Sequence, residues 1–292
     1  MLLVLTAVFL DSCKKDGNPN NLPSVSPDSY AGKIDGYTSS DEIFPSNQVA
    51  YWSFDDTKNE KISNKAPTSF SGDSFISGGV KGKALALNAG YVYYASQFDA
   101  FKVAALKSFT VSAWVQVLNN GSKKTMVFQL ARPTMFNGNI NFVLETNARA
   151  ATVTDAITIH PMFTAVSGGT QDNLNAANGT FAFQSPKIGA NVWAHMVITY
   201  DGTTGIFQIW GNGIKIGVPA YQSRGLGTSL FNSFEPSEVI FGGNYNVIPG
   251  KTVSTDASFA AMTGSIDEVR IYNIALPDAY IRALYNLGVA GK

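Results

Sequence analysis

The sequence predicts an all-β chain: two antiparallel sheets packed face to face as a sandwich, closed by one short C-terminal helix. Three observations lead there. Short apolar runs recur along the chain, set apart by Gly, Asn, Asp and Ser turns. Only one stretch, near the C-terminus, carries a clear helical period. The 292 residues are 45% hydrophobic and 14% charged, enough for one large domain, because sandwiches of about 200 to 250 residues often fold as a single unit. No repeat at a solenoid or propeller period is visible.

Residues 1–13, MLLVLTAVFLDSC, form an apolar run that ends at the only cysteine. The run is too short to span a bilayer and lies where a secretory signal lies. Leu10-Asp11-Ser12-Cys13 resembles a bacterial lipobox, which implies a lipidated Cys13; the alternative is a free thiol on an apolar tail. With no second cysteine there is no disulfide framework. Lys14-Lys15-Asp16 is similar to the charged segment that follows the anchor in surface-exposed lipoproteins of Bacteroidetes-type bacteria, which implies the cell envelope, at the outer membrane and facing outward. A solvated tether has the same composition. Residues 14–47 are rich in Asn, Ser, Pro and Gly and are expected to form a flexible stalk, since they hold too little apolar surface to offset their ordering entropy. Tyr30, Ile34, Tyr37 and Phe44 are exceptions that would dock on the domain late in the stalk.

The sandwich is expected over residues 48–292. Strands are predicted at 48–55, 92–95, 109–117, 125–130, 140–145, 156–160, 180–184, 193–201 and 239–242, and from Ile206 to the tight turn at Asn212-Gly213. Residues 165–177 read as a long loop. In the closing strand, alternation puts Ile266, Glu268, Arg270 and Tyr272 on one face and Asp267, Val269, Ile271 and Asn273 on the other. The helix follows Pro277, with Asp278 as N-cap, an apolar stripe from Ala279 to Leu287, and Gly288 as the left-handed residue at its end.

The closing segment GSIDEVRIYNIALPDAYIRALYNLG resembles that of the laminin G-like, concanavalin A-like lectin/glucanase domains. So do QVAYWSFD at 48–55, GGVKGKALAL at 78–87, FTVSAWV at 109–115, WAHMVITYDG at 193–202 and IFQIWGNG at 206–213, in family order. The resemblance implies a jelly roll and a glycan ligand. It also implies a structural calcium ion where first and last strands meet, with Asp55 and Asp267 as the matching positions; for Asp267 a salt bridge to Arg270 or a cap on nearby amides remains open.

Zero formal net charge with few charged residues argues against nucleic acid, which requires a basic face, and suits a neutral ligand. A retaining glycosidase needs two carboxylates about 5 Å apart, and no Glu-x-Asp-x-x-Glu pattern is present. Asp267 and Glu268 are adjacent, so an unbroken strand would point them to opposite faces. His195, in the strand after Trp193, reads as a packed histidine or a catalytic one.

Sugar binding rests on aromatic faces helped by amides and carboxylates. Trp114 and Trp210 share strand faces with Thr, Ser and Gln and are candidate platforms, with scaffold packing as the alternative. Phe136 and Tyr245 are the loop candidates. The sequence therefore points to a lipid-anchored envelope protein with a non-catalytic carbohydrate-binding domain, whose expected partner is a polysaccharide or glycoconjugate, as part of a polysaccharide-uptake system. Two other readings are a structural or adhesive protein with a protein partner, and a glycoside hydrolase.

Overall fold

The computed structural model describes residues 30–102, 104–176, 183–225, 229–232 and 234–292. Cys13 and the expected signal segment lie outside these residues, as do 180–182 of one predicted strand. Fourteen strands appear in the described chain: β1 (Gln48–Trp52), β2 (Ser69–Ser77), β3 (Lys83–Tyr94), β4 (Phe109–Val117), β5 (Lys124–Ala131), β6 (Ile140–Leu144), β7 (Met162–Thr164), β8 (Thr170–Asp172), β9 (Ala194–Asp201), β10 (Ile206–Gly211), β11 (Ile214–Lys215), β12 (Glu238–Phe241), β13 (Phe259–Ala260) and β14 (Met262–Tyr272). Helices are α1 (Pro219–Gln222) and α2 (Asp278–Val289).

The strands form one curled sheet in the order β11-β10-β9-β4-β14-β3-β12-β5-β6-β7-β8. The long strand β3 folds it into a sandwich: its first half pairs with β14 and its second half with β12. β2 runs beside β3 through this corner, where both strands are irregular. At the corner Gly72 has φ +64, and a Cβ there would lie 2.5 Å from the Asn88 carbonyl oxygen, so only glycine fits. Pairing is antiparallel except for β13, which adds to β5 in parallel.

Between the layers lies an apolar core from both inner faces, including Val111, Ala113 and Val115 of β4 and Phe128 and Leu130 of β5. Trp52 packs edge-on against Phe241 at 4.9 Å, and Phe163 against Phe207 at 5.1 Å. Burying such rings contributes about 1.5–3 kcal/mol each.

Several expectations are corrected. Residues 156–160 form no strand: they run beside β6 with one isolated bridge, Leu144 to Ile159, and the His160 N–H donating to the Val143 carbonyl at 2.9 Å, whereas β8 falls inside the predicted long loop. At the end of the expected stalk Ile34, Tyr37 and Phe44 dock as anticipated, packing with Ile43 against α2, with Phe44 edge-on to Tyr280 at 4.6 Å, whereas Tyr30, expected to dock with them, stays exposed. Gly288 lies inside α2, and the left-handed glycine is Gly291, at φ +68. Asp278 is the first helical residue and Pro277 the cap; the carboxylate sits in the first turn, where the helix dipole favours it.

The closing strand carries the largest correction. Between Asp267 and Arg270 the pairing with β4 advances three residues on β14 and two on β4. Glu268, with φ +49, is the extra residue of this bulge. Ile266, Val269 and Ile271 therefore all enter the core. Asp267 and Glu268 share the outer face rather than opposing each other.

Candidate functional site

Two regions hold the polar chemistry. The first is the outer face of the sheet half that contains β4, β9 and β14, roofed by α2 and residues 34–44. Alternation turns Ser112 and Trp114 outward, and pairing sets Asp267 opposite Trp114 and Arg270 opposite Ser112. The Trp114 ring lies near-parallel to His195 at 4.9 Å and to Tyr285 of α2 at 5.7 Å, the three rings forming one cluster, and it is buried. Gly288 comes so close that a Cβ would lie 2.4 Å from the indole. Trp210 is likewise buried, in the cluster beneath α2 with Ile43, Leu276 and Leu284. Neither tryptophan shows a face to a sugar, because the helix that closes the domain covers both.

The same face holds a buried ionic network. Arg270 donates to Glu268 and to Asp41, both at 2.7 Å, and to Ser40 at 3.0 Å; it lies over the Tyr51 ring, whose hydroxyl donates to Glu268 at 2.6 Å. Burial works against the Arg270 charge, but Glu268 and its other neighbours outweigh burial and raise its pKa. His195 bonds Ser112 at 2.8 Å, and burial lowers its pKa to about 3, so it is neutral. It is a packed histidine: among the described residues its Nδ1 has no hydrogen-bond partner, so no acid completes a triad there.

Asp55 and Asp267 do converge, on the 78–83 loop. One oxygen of Asp267 accepts from the backbone N–H of Val80 at 2.6 Å and of Lys81 at 3.3 Å, and the other from that of Glu268 at 2.9 Å. Asp55 accepts from the Lys83 N–H at 2.8 Å. Burial and then the Glu268 charge push Asp267 up to about 8, against the pull of those amides. A calcium ion takes six to eight oxygens. Here the carboxylates meet N–H groups instead, and among the described residues no group of three or more His, Cys, Asp or Glu side chains suits a metal. The cap alternative for Asp267 is the one the geometry supports.

A third polar cluster escaped the sequence reading. His160 bonds Glu145 of the β6 end through Nδ1 and Asp172 of β8 through Nε2, both at 2.8 Å. Burial opposes its charge, yet the two carboxylates raise it to about 9; His160 in turn holds both acids below their ordinary range. Neither carboxylate is kept protonated, as a glycosidase acid must be. The three residues are scattered in sequence and meet only through pairing at the β6-β7-β8 edge.

The second region is open. At the end of the sandwich, a cleft of about 640 Å³ lies between the β4–β5 loop and the start of β14. Gln116, Asn120, Ser122, Thr263 and Ser265 line it with amide- and hydroxyl-bearing side chains, while the Asn119 amide turns inward to the Val153 and Ala156 carbonyls. Ala89, Ala151, Ala190, Ala260 and Ala261 keep it wide, and Lys123 is its one charged side chain. Asn120 builds the rim: its carbonyl accepts from the N–H of Ser122 and of Lys123, each at 2.8 Å. The Thr263 hydroxyl accepts from the Ala89 N–H at 3.0 Å and keeps its proton to donate. Gln116 sits between the Ala190 carbonyl, 3.3 Å away, and the Trp193 indole N–H, 3.2 Å away, when its amide is turned to suit both. None of this lining was singled out from the sequence, since Asn, Ser, Thr and Ala in turns carry no signature.

Of the loop aromatics, Tyr245 is buried with Tyr91, Tyr93 and Ile248. It covers the outer face of the other half of the sheet and offers no platform. Phe136 is half-buried, edge-on to Phe259 at 5.9 Å.

A family model described as concanavalin A-like lectin/glucanases superfamily, of the laminin G type, matches residues 89–282. The chain belongs to that superfamily. Its jelly-roll fold, with a lectin-like curled antiparallel sheet and short C-terminal helix, agrees. No curated protein matches this chain. Among solved structures, the binding domain of Paraclostridial Mosquitocidal Protein 1 is similar at 16% identity and TM-score 0.55, over 82% of this chain and 52% of that one. The botulinum neurotoxin serotype C1 binding domain is similar at 14% identity and TM-score 0.53, over 84% and 52%. The superfamily member thus spans about half the length of these chains, and at such identities they share its fold alone.

Proposed function

We propose that this domain is a non-catalytic binding module for a neutral, hydroxyl-rich glycan, held in the cleft at the end of the sandwich. The cleft carries the reading: about 640 Å³ lined by amides, hydroxyls and small side chains, with no carboxylate among the described lining residues. Its volume lies in the range of ligand pockets, and short polar side chains suit sugar hydroxyls. Hydrolysis would require paired carboxylates, one held protonated. Of the acids gathered in the fold, Glu268 and Asp267 are sealed under α2 and Glu145 and Asp172 are bound to His160.

The Leu10–Cys13 resemblance supports a further part of the proposal, that the module is displayed on a lipid anchor at Cys13 in a bacterial cell envelope and serves polysaccharide uptake. No helix among the described residues is long and apolar enough to cross a membrane.

The test is an array of immobilised polysaccharides (xylan, mannan, arabinan, galactan and β-glucan), probed with the full chain and with Ala190→Trp, which fills the cleft from an exposed turn. Saturable binding by the wild type, weakened at least tenfold in the variant at unchanged melting temperature, supports the reading. Binding that Ala190→Trp leaves intact moves the site elsewhere, and cleaved product refutes the non-catalytic role.

A further inference from the structure

A second cleft, of about 500 Å³, lies beside the first. Ala260 and Ala261 line both, so the two adjoin at the short strand β13 and the residue after it, with only these small side chains at their shared edge. The join is held from beneath: Phe259 and Ala260 pair with Lys124 and Thr125 of β5, the Lys124 N–H donates to the Ser258 carbonyl at 2.8 Å, and Lys123 of the first cleft reaches across to the Ala257 carbonyl of the second. The far rim is equally built. Asn246 donates through its amide nitrogen to the Ser254 carbonyl at 2.8 Å and accepts from the Val253 N–H at 2.8 Å, which fixes the 252–257 loop.

The second cleft contains what the first lacks, an aromatic wall. Phe259 lines it and is half-buried. Phe136 meets it edge-on at 5.9 Å with planes 68° apart, which sets the orientation of the Phe259 ring from the side. The described lining includes one charged side chain, the exposed Asp256. Two adjoining clefts, one lined by hydroxyl- and amide-bearing residues and the other by an aromatic side chain, meet where only small side chains stand between them.

Resting on the glycan-binding reading, we infer that the adjoining clefts are a two-part site for an internal stretch of a linear neutral polysaccharide, with Phe259 as the stacking platform of its second part and Phe136 as the residue that positions it. A chain end would need only the first cleft. A polymer running through can cross Ala260 and Ala261, which present no side chain long enough to stop it.

Calorimetric titration of the full chain with linear xylo-, manno- and gluco-oligosaccharides of increasing length tests this. In the series that binds, affinity is expected to rise at least tenfold beyond the length that fills the first cleft, then level off. Phe259→Leu, which keeps the apolar packing and removes the aromatic face, is expected to abolish that gain while short oligosaccharides bind as before. Phe259→Ala should do the same, with circular dichroism confirming the fold. Affinity independent of length, or a length gain that survives Phe259→Leu, overturns the two-part site while leaving the glycan-binding reading standing. Failure of every oligosaccharide and every polysaccharide on the array overturns both.

Discussion

Beneath the C-terminal helix, Trp114, His195, Glu268 and Arg270 are buried and bound to one another or to their neighbours. At the end of the sandwich, the cleft is lined by Ala, Asn, Ser and Thr, many of them reaching solvent. The region with functional-looking residues is the sealed one. The difference teaches that in this fold aromatic and charged side chains serve to fasten a roof, because a polar sheet face can be covered only if each charge finds a partner. The open surface is left to residues too small to fill it.

The comparison breaks first at Arg270. Removing it by Arg270→Ala leaves Glu268 buried without its cation, and the expected loss of stability is about 3–5 kcal/mol in urea denaturation. A loss below about 1 kcal/mol, typical of exposed pairs, would mean that the roof opens readily and the face beneath it is available to a ligand. Gly288→Ala comes next. Its Cβ meets the Trp114 indole at 2.4 Å, and overpacking of this kind costs about 1–3 kcal/mol. Glycan binding measured below the lowered melting temperature should be unchanged, whereas a Trp114 platform would lose affinity as the ring shifts.

The two histidines sharpen the contrast through pH. His160 titrates at about 9 in the fold and about 6.5 unfolded. Its contribution is fully present below about 6.5 and disappears as pH rises through 9. Glu145 and Asp172, both held low, give stability that is lost instead as pH falls through their folded values. His195 has the opposite sign from His160: at about 3 in the fold, it leaves the unfolded chain binding the extra proton below about 6.5, so stability falls from there toward acid. Melting temperatures across pH 3 to 10 should show a decline toward alkaline pH that His160→Gln reduces, leaving the share due to Asp267, which ends near 8, and a decline toward acid from which the variant loses the share of Glu145 and Asp172 and keeps that of His195. If His160→Gln leaves the alkaline limb unchanged, the Glu145–His160–Asp172 cluster contributes nothing to stability.

Legibility divides along the same line. The strands of the core were readable because alternation and the Asn212-Gly213 turn are local signals, and both central residues of that turn do have positive φ, 49° and 74°. The roof was half readable: the helix was visible, but its target was not, since the Glu268 bulge that turns Asp267 and Glu268 to one face depends on pairing with β4. Gly288 looked like a terminator because glycine after an apolar stripe commonly is one; its use in clearing Trp114 is a tertiary fact. The cleft was not readable at all. Ala89 comes from the middle of β3, Gln116 and Asn120 from the end of β4 and the loop after it, and Ala190 from a turn before β9, and only the fold of the sheet gathers them.

A small effect is expected at that rim. Ala89 holds φ 46°, a left-handed conformation that costs a residue with a Cβ about 1–2 kcal/mol. Ala89→Gly relieves it but gives the unfolded chain more freedom, worth about 0.4–1 kcal/mol. The net gain should therefore lie between about 0 and 1.6 kcal/mol, visible as a slight rise in melting temperature. A fall would mean that the Ala89 methyl packs productively against the cleft wall.

The smallest expected effect is none, from calcium. A ligand present at a hundred times its dissociation constant stabilises by about 2.7 kcal/mol, which a thermal melt detects easily. Asp267 spends both oxygens on the N–H groups of Val80, Lys81 and Glu268, and Asp55 binds the Lys83 N–H. A cation at those oxygens would face the positive ends of the amides and would have to displace the 78–83 loop. Millimolar calcium and a chelator should thus give the same melting temperature. A rise with calcium that the chelator reverses would show that the loop swings aside, and would make the seam between β1 and β14 a switchable region rather than part of the sealed roof.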